Sequence, residues 1–152
     1  MIYGENLWNN DYFNEYGTPL KPGLIELLSY LKENNYKIAV ATSSNKEVAL
    51  NHFKRANITE YFEVIVCGDM IENSKPAPDI YLKACELLDV IPSECLAIED
   101  SPNGIRSAFS AELKPVMIPD LIQPAEEILE MVHSKLANLN EVIHLLDSKC
   151  NK

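Results

Sequence analysis

The stretch "CLAIEDSPNG", residues 95–104, joins an apolar run to two adjacent carboxylates and then to a helix start. A short apolar run without a helical period is typical of a strand that is covered on both faces. Ser101 and Pro102 then supply an N-cap and a proline at the first helical position. The stretch therefore predicts a strand over 95–100, a sharp turn and a helix.

The same alternation of strands and helices extends in both directions along the chain. Further apolar runs predict strands at 37–43 ("KIAVATS"), 62–68 ("FEVIVCG") and 114–120 ("KPVMIPD"). Helices are expected at 24–31, where leucines recur at helical spacing, at about 46–56, from 79 to about 89, and after residue 124. Such alternation predicts an α/β fold of three layers, in which a parallel sheet has helices on both faces.

Composition limits the classes of function. The 152 residues are 47% hydrophobic, which is enough for one core and one domain. The 23 acidic against 13 basic side chains give a formal charge of -10, which disfavours binding to nucleic acid or to anionic lipid. The four cysteines lack CxxC spacing, and no run of about 18 apolar residues occurs. We expect a cytoplasmic protein with reduced thiols and no membrane span.

A first polar cluster, "ATSSNK", follows the strand at 37–43. In parallel α/β sheets, ligands bind at the carboxyl ends of the strands, so polar residues there carry functional weight. Thr42 is at the strand end, and Ser43, Ser44, Asn45 and Lys46 form the turn into the next helix. Hydroxyls and backbone N–H groups at a helix N-terminus make a phosphate cradle. The alternative is ordinary N-capping by Ser44 or Asn45.

Two further clusters carry opposite charges. In "NSKPAPDIY", prolines favour an extended backbone around Lys75, which could hold its ammonium near an anion. The alternative for Lys75 is a solvated surface lysine. Glu99 and Asp100 end the strand at 95–100, and their hard oxygen atoms suit Mg²⁺. The alternative for this acidic pair is stabilisation of the positive end of the following helix.

Together, the three clusters resemble the haloacid dehalogenase superfamily, specifically its β-phosphoglucomutase-like and phosphatase branch. The resemblance runs from about Leu20 to Asp120, and its most specific part is "SKPAPDIY" followed by "AIEDSPNGI". It implies a Rossmann-like sheet and Mg²⁺-dependent phosphoryl transfer, through an aspartyl-phosphate, on a small phosphorylated substrate such as a sugar phosphate.

The resemblance also implies roles for individual residues. Thr42 and the turn 43–46 would contact the transferring phosphate, and Lys75 would offset charge on the nucleophile and the phosphate. Glu99 and Asp100 would position Mg²⁺. Glu112 occupies a position where the family usually has glycine before the fifth strand. If this position needs a positive φ, either Glu112 is strained or the turn has changed.

The family's nucleophile belongs to an Asp-x-Asp-Gly-Thr-type motif at the end of the first strand, and this sequence contains no such motif. Asp11 is the only aspartate before Thr42, and no apolar run precedes it. We therefore expect residues 1–19 to be a remnant of a helical cap domain. Residues 20–152 would form an incomplete core whose first central strand is missing.

A missing central strand would expose two interior strand edges, which are templates for pairing. The two edges could pair directly, or the gap could be filled by the chain's own N-terminal segment or by a second chain, giving a homo-oligomer. The leading hypothesis is a phosphatase or phosphomutase chain that is inactive alone because it lacks the nucleophile. The alternative is a non-catalytic phosphate- or metal-binding module that acts through association with another chain.

Overall fold

The computed structural model describes residues 2–4, 20–120 and 123–150. Its strands are β1 (Ile2–Gly4), β2 (Ala39–Thr42), β3 (Val64–Cys67), β4 (Leu96–Glu99), β5 (Lys114–Met117) and β6 (Ser134–Lys135). Its α-helices are α1 (Leu24–Glu33), α2 (Lys46–Arg55), α3 (Asp79–Leu88), α4 (Pro102–Ser110), α5 (Glu126–Leu129) and α6 (Asn140–Cys150). Short 3₁₀ turns cover Thr59–Tyr61, Gly68–Met70 and Pro92–Glu94.

The six strands form one parallel sheet in the order β3-β2-β1-β4-β5-β6. Every residue of β2 and β4 is buried, as expected for strands covered on both faces. The predicted α/β class with a parallel sheet is confirmed. The two-residue strand β6 was not predicted, because the apolar residues after residue 124 suggested helices alone.

The centre of the sheet differs from the expectation of a missing first strand. β1 lies between β2 and β4, with Ile2 opposite Ala39 and Tyr3 opposite Ile98. Of the three ways of closing the gap, the structure shows the second, in which the chain's own N-terminal segment fills it. Three residues suffice because backbone hydrogen bonds to both neighbours satisfy groups that would otherwise be left unpaired.

This placement corrects two further expectations. Residues 2–4 belong to the core sheet, so the expected boundary at residue 20 between cap and core does not hold for them. Residues 5–19, including Asp11, lie outside the described residues. Because β1 pairs with both neighbours, the interior strand edges on which we based the expected homo-oligomer are covered.

Side chains that alternate along the strands build two cores. On one face, Val40 and Ile98 pack with the leucines of α1 and with residues of α2 and α6. On the other face, the small side chains of Ala39, Ala41 and Ala97 pack against α3 and α4. The sheet therefore has helices on both faces, and the polar residues that follow the strands collect at its carboxyl edge.

Local signals in the sequence set the helix ends. The Ser101 hydroxyl accepts a hydrogen bond from the Gly104 N–H at 3.1 Å, and α4 begins at Pro102 as predicted. Glu112 has φ 64, so of the two alternatives for this turn the structure shows a positive φ at Glu112. Cys67, Cys85 and Cys95 are buried free thiols. Within the described ranges, no helix is both long and apolar enough to cross a membrane.

Candidate active site

The polar residues meet at the carboxyl ends of β2 and β4, the two strands that flank β1. The Lys75 ammonium donates to Oε1 of Glu99 at 2.6 Å and to the carbonyl oxygen of Ala41 at 3.4 Å. It therefore contacts residues on both flanking strands. The structure brings Lys75 and Glu99 into direct contact, and Lys75 also contacts Ala41, the residue that precedes Thr42.

Lys75 is held by a turn. Its peptide bond to Pro76 is cis, and the Ala77 N–H donates to the carbonyl oxygen of Ser74 at 3.0 Å. A turn thus replaces the extended backbone that was expected around Lys75, so that expectation is wrong. The side chain of Lys75 is only 7% exposed, so the surface-lysine alternative is also wrong.

The turn is tied to the start of α3. The Asp79 carboxylate accepts from the backbone N–H of Asn73 at 3.0 Å and from its side-chain amide at 3.1 Å. Two residues after Asp79, the centre of the Tyr81 ring lies 5.2 Å from the Lys75 ammonium, within cation–π distance. Helix α3 thus fixes both the backbone and the charged end of Lys75.

Glu99 is enclosed on every side. Its Oε1 also accepts from the Tyr81 hydroxyl, and its Oε2 accepts from the Ser101 hydroxyl at 3.4 Å. A Cβ added at Gly104 would lie 2.0 Å from the Glu99 carboxyl carbon, so only glycine leaves room for that group. Burial raises the pKa of Glu99, while the charge of Lys75 and the hydrogen bonds from Lys75 and Tyr81 oppose the rise.

Asp100 turns the other way, as adjacent residues at a strand end do. Its Oδ2 accepts from the Lys21 ammonium at 2.9 Å. Its Oδ1 is buried and has no hydrogen-bond partner among the described residues. The side chain is 9% exposed and borders a cavity of about 530 Å³ beside Pro102, Met117 and Asp120.

Sequence reasoning missed Tyr81 and Lys21. Tyr81 could have been found, because its position beside Ile80 in "DIY" predicts a buried helix face, and a buried tyrosine hydroxyl needs a hydrogen-bond partner. Lys21 gave no such signal. It precedes α1 and is separated from Asp100 by 79 residues.

At the end of β2, internal contacts confirm the capping alternative. Asn45 Oδ1 accepts from the Val48 N–H at 3.0 Å, and the Lys46 N–H donates to Asp69 Oδ2 at 3.2 Å. The Thr42 hydroxyl is fully buried and accepts from the Ser44 N–H at 3.1 Å. Capping occupies N–H groups of the turn, so a phosphate role for Thr42 and residues 43–46 stays a prediction.

The loop after β2 is fixed by close backbone contact with the end of β3. The Gly68 N–H donates to the carbonyl oxygen of Ser44 at 2.9 Å. A Cβ at Gly68 would lie 2.4 Å from the carbonyl oxygen of Ser43, so a larger residue would push the loop away. The turn after Thr42 therefore has a defined position against the end of β3.

Glu99 and Asp100, the two expected Mg²⁺ ligands, differ in whether their oxygens are available to a metal ion. Both oxygens of Glu99 accept hydrogen bonds within the protein, whereas the buried Oδ1 of Asp100 has no partner among the described residues. Mg²⁺ binds through one or two carboxylates, together with water and substrate oxygens. Asp100 fits this donor set. In the described part of the chain, no group of three or more His, Cys, Asp or Glu side chains could enclose a metal ion.

Comparison of the sequence with known proteins identifies one family of hydrolases and its relatives. The family model described as "Haloacid dehalogenase-like hydrolase" matches residues 7–118. A phosphorylated carbohydrates phosphatase of Thermotoga maritima is 33% identical over 126 residues, which are 82% of this chain and 58% of that protein. A β-phosphoglucomutase of Bacillus subtilis is 36% identical over 126 residues, covering 76% of this chain and 55% of the relative.

Solved structures show the same likeness. The crystal structure of a β-phosphoglucomutase-like protein from Thermotoga maritima matches with a TM-score of 0.78 and 31% identity, covering 85% of this chain and 60% of that one. CbbY from Rhodobacter sphaeroides, crystallised with phosphate, matches with a TM-score of 0.74 and 33% identity, covering 81% and 56%. The chain thus spans somewhat more than half the length of these relatives.

Proposed function

Because the chain belongs to the haloacid dehalogenase-like hydrolase family, we propose that it forms the charge-stabilising part of a Mg²⁺-dependent phosphatase or phosphomutase. The substrate class is a small phosphomonoester such as a sugar phosphate. Two relatives, a phosphorylated carbohydrates phosphatase and a β-phosphoglucomutase, support this class. Phosphatases of the superfamily generally use Mg²⁺.

The observation that carries the proposal is the position of Lys75. Its ammonium contacts the ends of both strands that flank β1, at 3.4 Å from Ala41 O and 2.6 Å from Glu99 Oε1. A transferring phosphoryl group carries negative charge on its equatorial oxygens, and a fixed cation stabilises that charge without reorganisation. In this proposal Lys75 does so, and Glu99 and Tyr81 keep its side chain in place.

The other residues complete the site on either side of Lys75. Thr42 and the turn 43–46 bind phosphate oxygens through hydroxyl and N–H donors. Asp100 would hold Mg²⁺ through Oδ1, which has no hydrogen-bond partner among the described residues, and the ion would supply further neutralisation of the phosphate charge. Glu99 acts through Lys75, because its own two oxygens are already occupied.

Covalent transfer also needs a nucleophilic carboxylate at the end of the central strand. β1 ends at Gly4, and Glu5 follows it in the sequence. Glu5 and Asp11 lie outside the described residues. We infer that the described residues supply charge stabilisation and binding. Because the sequence also contains no Asp-x-Asp-Gly-Thr-type motif, we expect that the chain alone does not turn over substrate.

The test is hydrolysis of para-nitrophenyl phosphate with Mg²⁺, by the 152-residue chain and by a version extended with its upstream coding sequence. We expect only the extended form to turn over, and Lys75→Ala to lower its kcat/KM by about 100-fold or more. Lys83→Ala is the control, because Lys83 pairs with Glu86 on the exposed face of α3.

Turnover by the shorter chain would contradict the inference that it lacks a nucleophile. Asp11→Asn and Glu5→Gln would then identify the residue that replaces the nucleophile. An extended form that keeps full activity with Lys75→Ala would contradict the role of Lys75.

A second candidate is a phosphate- or metal-binding module without turnover that associates with another chain. The observation that favours it is the lack of an Asp-x-Asp-Gly-Thr motif in the sequence. Under this alternative, calorimetry would detect binding of inorganic phosphate or Mg²⁺ to the chain. Neither the short nor the extended form would hydrolyse the aryl phosphate.

A further inference from the structure

Each of the two adjacent carboxylates at the end of β4 has its own lysine. Lys75 lies 2.6 Å from Glu99, and Lys21 lies 2.9 Å from Asp100. The two lysine ammonium groups thus balance the charges of the two carboxylates. This balance is absent from the sequence pattern, because Lys21 is far from Asp100 along the chain.

We propose that the Lys21 ammonium is the counter-ion of Asp100, and that a divalent metal ion binds this carboxylate only by displacing that ammonium. The inference rests on the proposed Mg²⁺ site at Asp100 and concerns how that site is controlled. The metal ion would then compete with a side chain of the protein itself.

The first argument is electrostatic. An ammonium 2.9 Å from Oδ2 would lie within a few ångströms of an ion bound to Oδ1 of the same carboxylate. Two cations at that separation repel each other strongly where water is largely excluded, and the Asp100 side chain is only 9% exposed. The Asp100 carboxylate therefore cannot bind the Lys21 ammonium and a metal ion together with the affinity that it has for either one alone.

The second argument is that Lys21 is able to leave. Its side chain is 20% exposed, and a lysine side chain has a flexible four-carbon stem that reaches water readily. The backbone need not follow, because the buried residues Leu24, Leu27, Leu28 and Leu31 anchor α1 in the core. Release of the ammonium thus costs little elsewhere in the fold.

Lys75 lacks this freedom. Its side chain is 7% exposed, donates to the Ala41 carbonyl oxygen and lies over the Tyr81 ring. Displacing it would leave Glu99 buried without a counter-charge. The two lysines therefore have different roles, because Lys75 stays with Glu99 while Lys21 exchanges with the metal ion.

The test is calorimetric titration of MgCl₂ into the whole chain, comparing wild type with Lys21→Met. We expect Lys21→Met to bind Mg²⁺ on the order of tenfold more tightly, because the competing cation is gone. Lys83→Met is the matched control: it removes one positive charge from an exposed pair on α3 and should bind as the wild type does. Adding Asp100→Asn to Lys21→Met should abolish the gain.

Several outcomes would overturn the inference. Lys21→Met could bind no tighter than wild type, none of the proteins could bind Mg²⁺ at all, or the tighter binding could survive Asp100→Asn. Circular dichroism establishes that each variant is folded. For the unmutated chain, NMR of the lysine ammonium groups gives a second measurement: the Lys21 signal should lose its hydrogen-bonded character as Mg²⁺ is added, and an unchanged signal at saturation would contradict displacement.

These results are separable from the proposed function. Tighter Mg²⁺ binding by Lys21→Met, together with no aryl phosphate hydrolysis by any form, would support the exchange of cations and contradict the phosphatase proposal. Hydrolysis of the aryl phosphate, without any effect of Lys21→Met on Mg²⁺ affinity, would support the phosphatase proposal and contradict the exchange of cations.

Discussion

Glu99 and Asp100 are adjacent in the chain and carry the same charge, yet they lie in opposite environments. Glu99 has no exposed side-chain surface and bonds to Lys75, Tyr81 and Ser101. Among the described residues, Asp100 is paired with Lys21, its Oδ1 has no hydrogen-bond partner, and a cavity lies beside it. The comparison shows that direction and burial, more than residue type, separate a carboxylate that organises a site from one that is available to a ligand.

The largest expected effect comes from breaking the enclosed pair. Lys75→Met leaves the Glu99 carboxylate without a counter-charge, which should lower the free energy of unfolding by about 3 kcal/mol. Urea denaturation measures this change. Lys83→Met, in a pair with 36% and 68% exposed side chains, should change stability by less than about 0.5 kcal/mol. Equal effects of the two substitutions would contradict the enclosure of Glu99.

The loss caused by Lys75→Met should also depend on pH. Burial raises the pKa of Glu99, and Lys75 opposes that rise, so the substitution raises the folded-state pKa further. A carboxyl with a raised pKa adds stability below its unfolded-state pKa and loses it as pH rises. The deficit relative to wild type should therefore be larger at about pH 8 than at about pH 5. A deficit that is constant over this range would contradict the assignment.

A smaller effect is expected from filling the space beside Glu99. Helix propensity alone would favour Gly104→Ala by about 1 kcal/mol. The new Cβ would instead lie 2.0 Å from a carboxyl carbon held by Lys75 and Tyr81, and we expect a net loss of about 2 kcal/mol. Asn103→Ala, at an exposed position of the same helix, is the control for thermal denaturation. A stabilised Gly104→Ala would mean that Glu99 moves freely.

The smallest effect is expected at the open pair. Lys21→Met should lower the free energy of unfolding by about 1 kcal/mol, because water reaches the vacated side of Asp100 from the cavity. Adding MgCl₂ should restore the lost stability, since ligand binding to the folded state is stabilising. Urea denaturation with and without Mg²⁺ checks both statements. A loss as large as that of Lys75→Met would remove the distinction between the two pairs.

Much of the fold could be predicted because its signals are local. The apolar runs of β2, β3, β4 and β5 are bounded by turn residues, and the Ser101-Pro102 helix start needs no distant partner. The positive φ of Glu112 was one of two alternatives that its place before β5 left open. β1 escaped prediction because three residues between Met1 and Glu5 are too few to show a period, and only pairing with β2 and β4 defines them as a strand.

The candidate site could also be predicted only in part. Lys75, Glu99 and Asp100 could be named from their motifs, but the sequence grouped the two carboxylates as one metal-binding pair. Their separation depends on which way each side chain leaves the end of β4, and on the space at Gly104 and the cavity beside Asp100. Lys21 and Tyr81 acquire their roles only when α1 and α3 pack against the sheet.

By itself, the sequence determined the class of fold, the order of most elements and the acidic and basic residues that follow the strands. These depend on hydrophobic spacing and turn chemistry, which act over a few neighbouring residues. Only the tertiary structure decided that Ile2–Gly4 completes the sheet and that Lys21 pairs with Asp100. Strand pairing and ion pairing over long separations depend on the packing of the whole chain, so no local pattern encodes them.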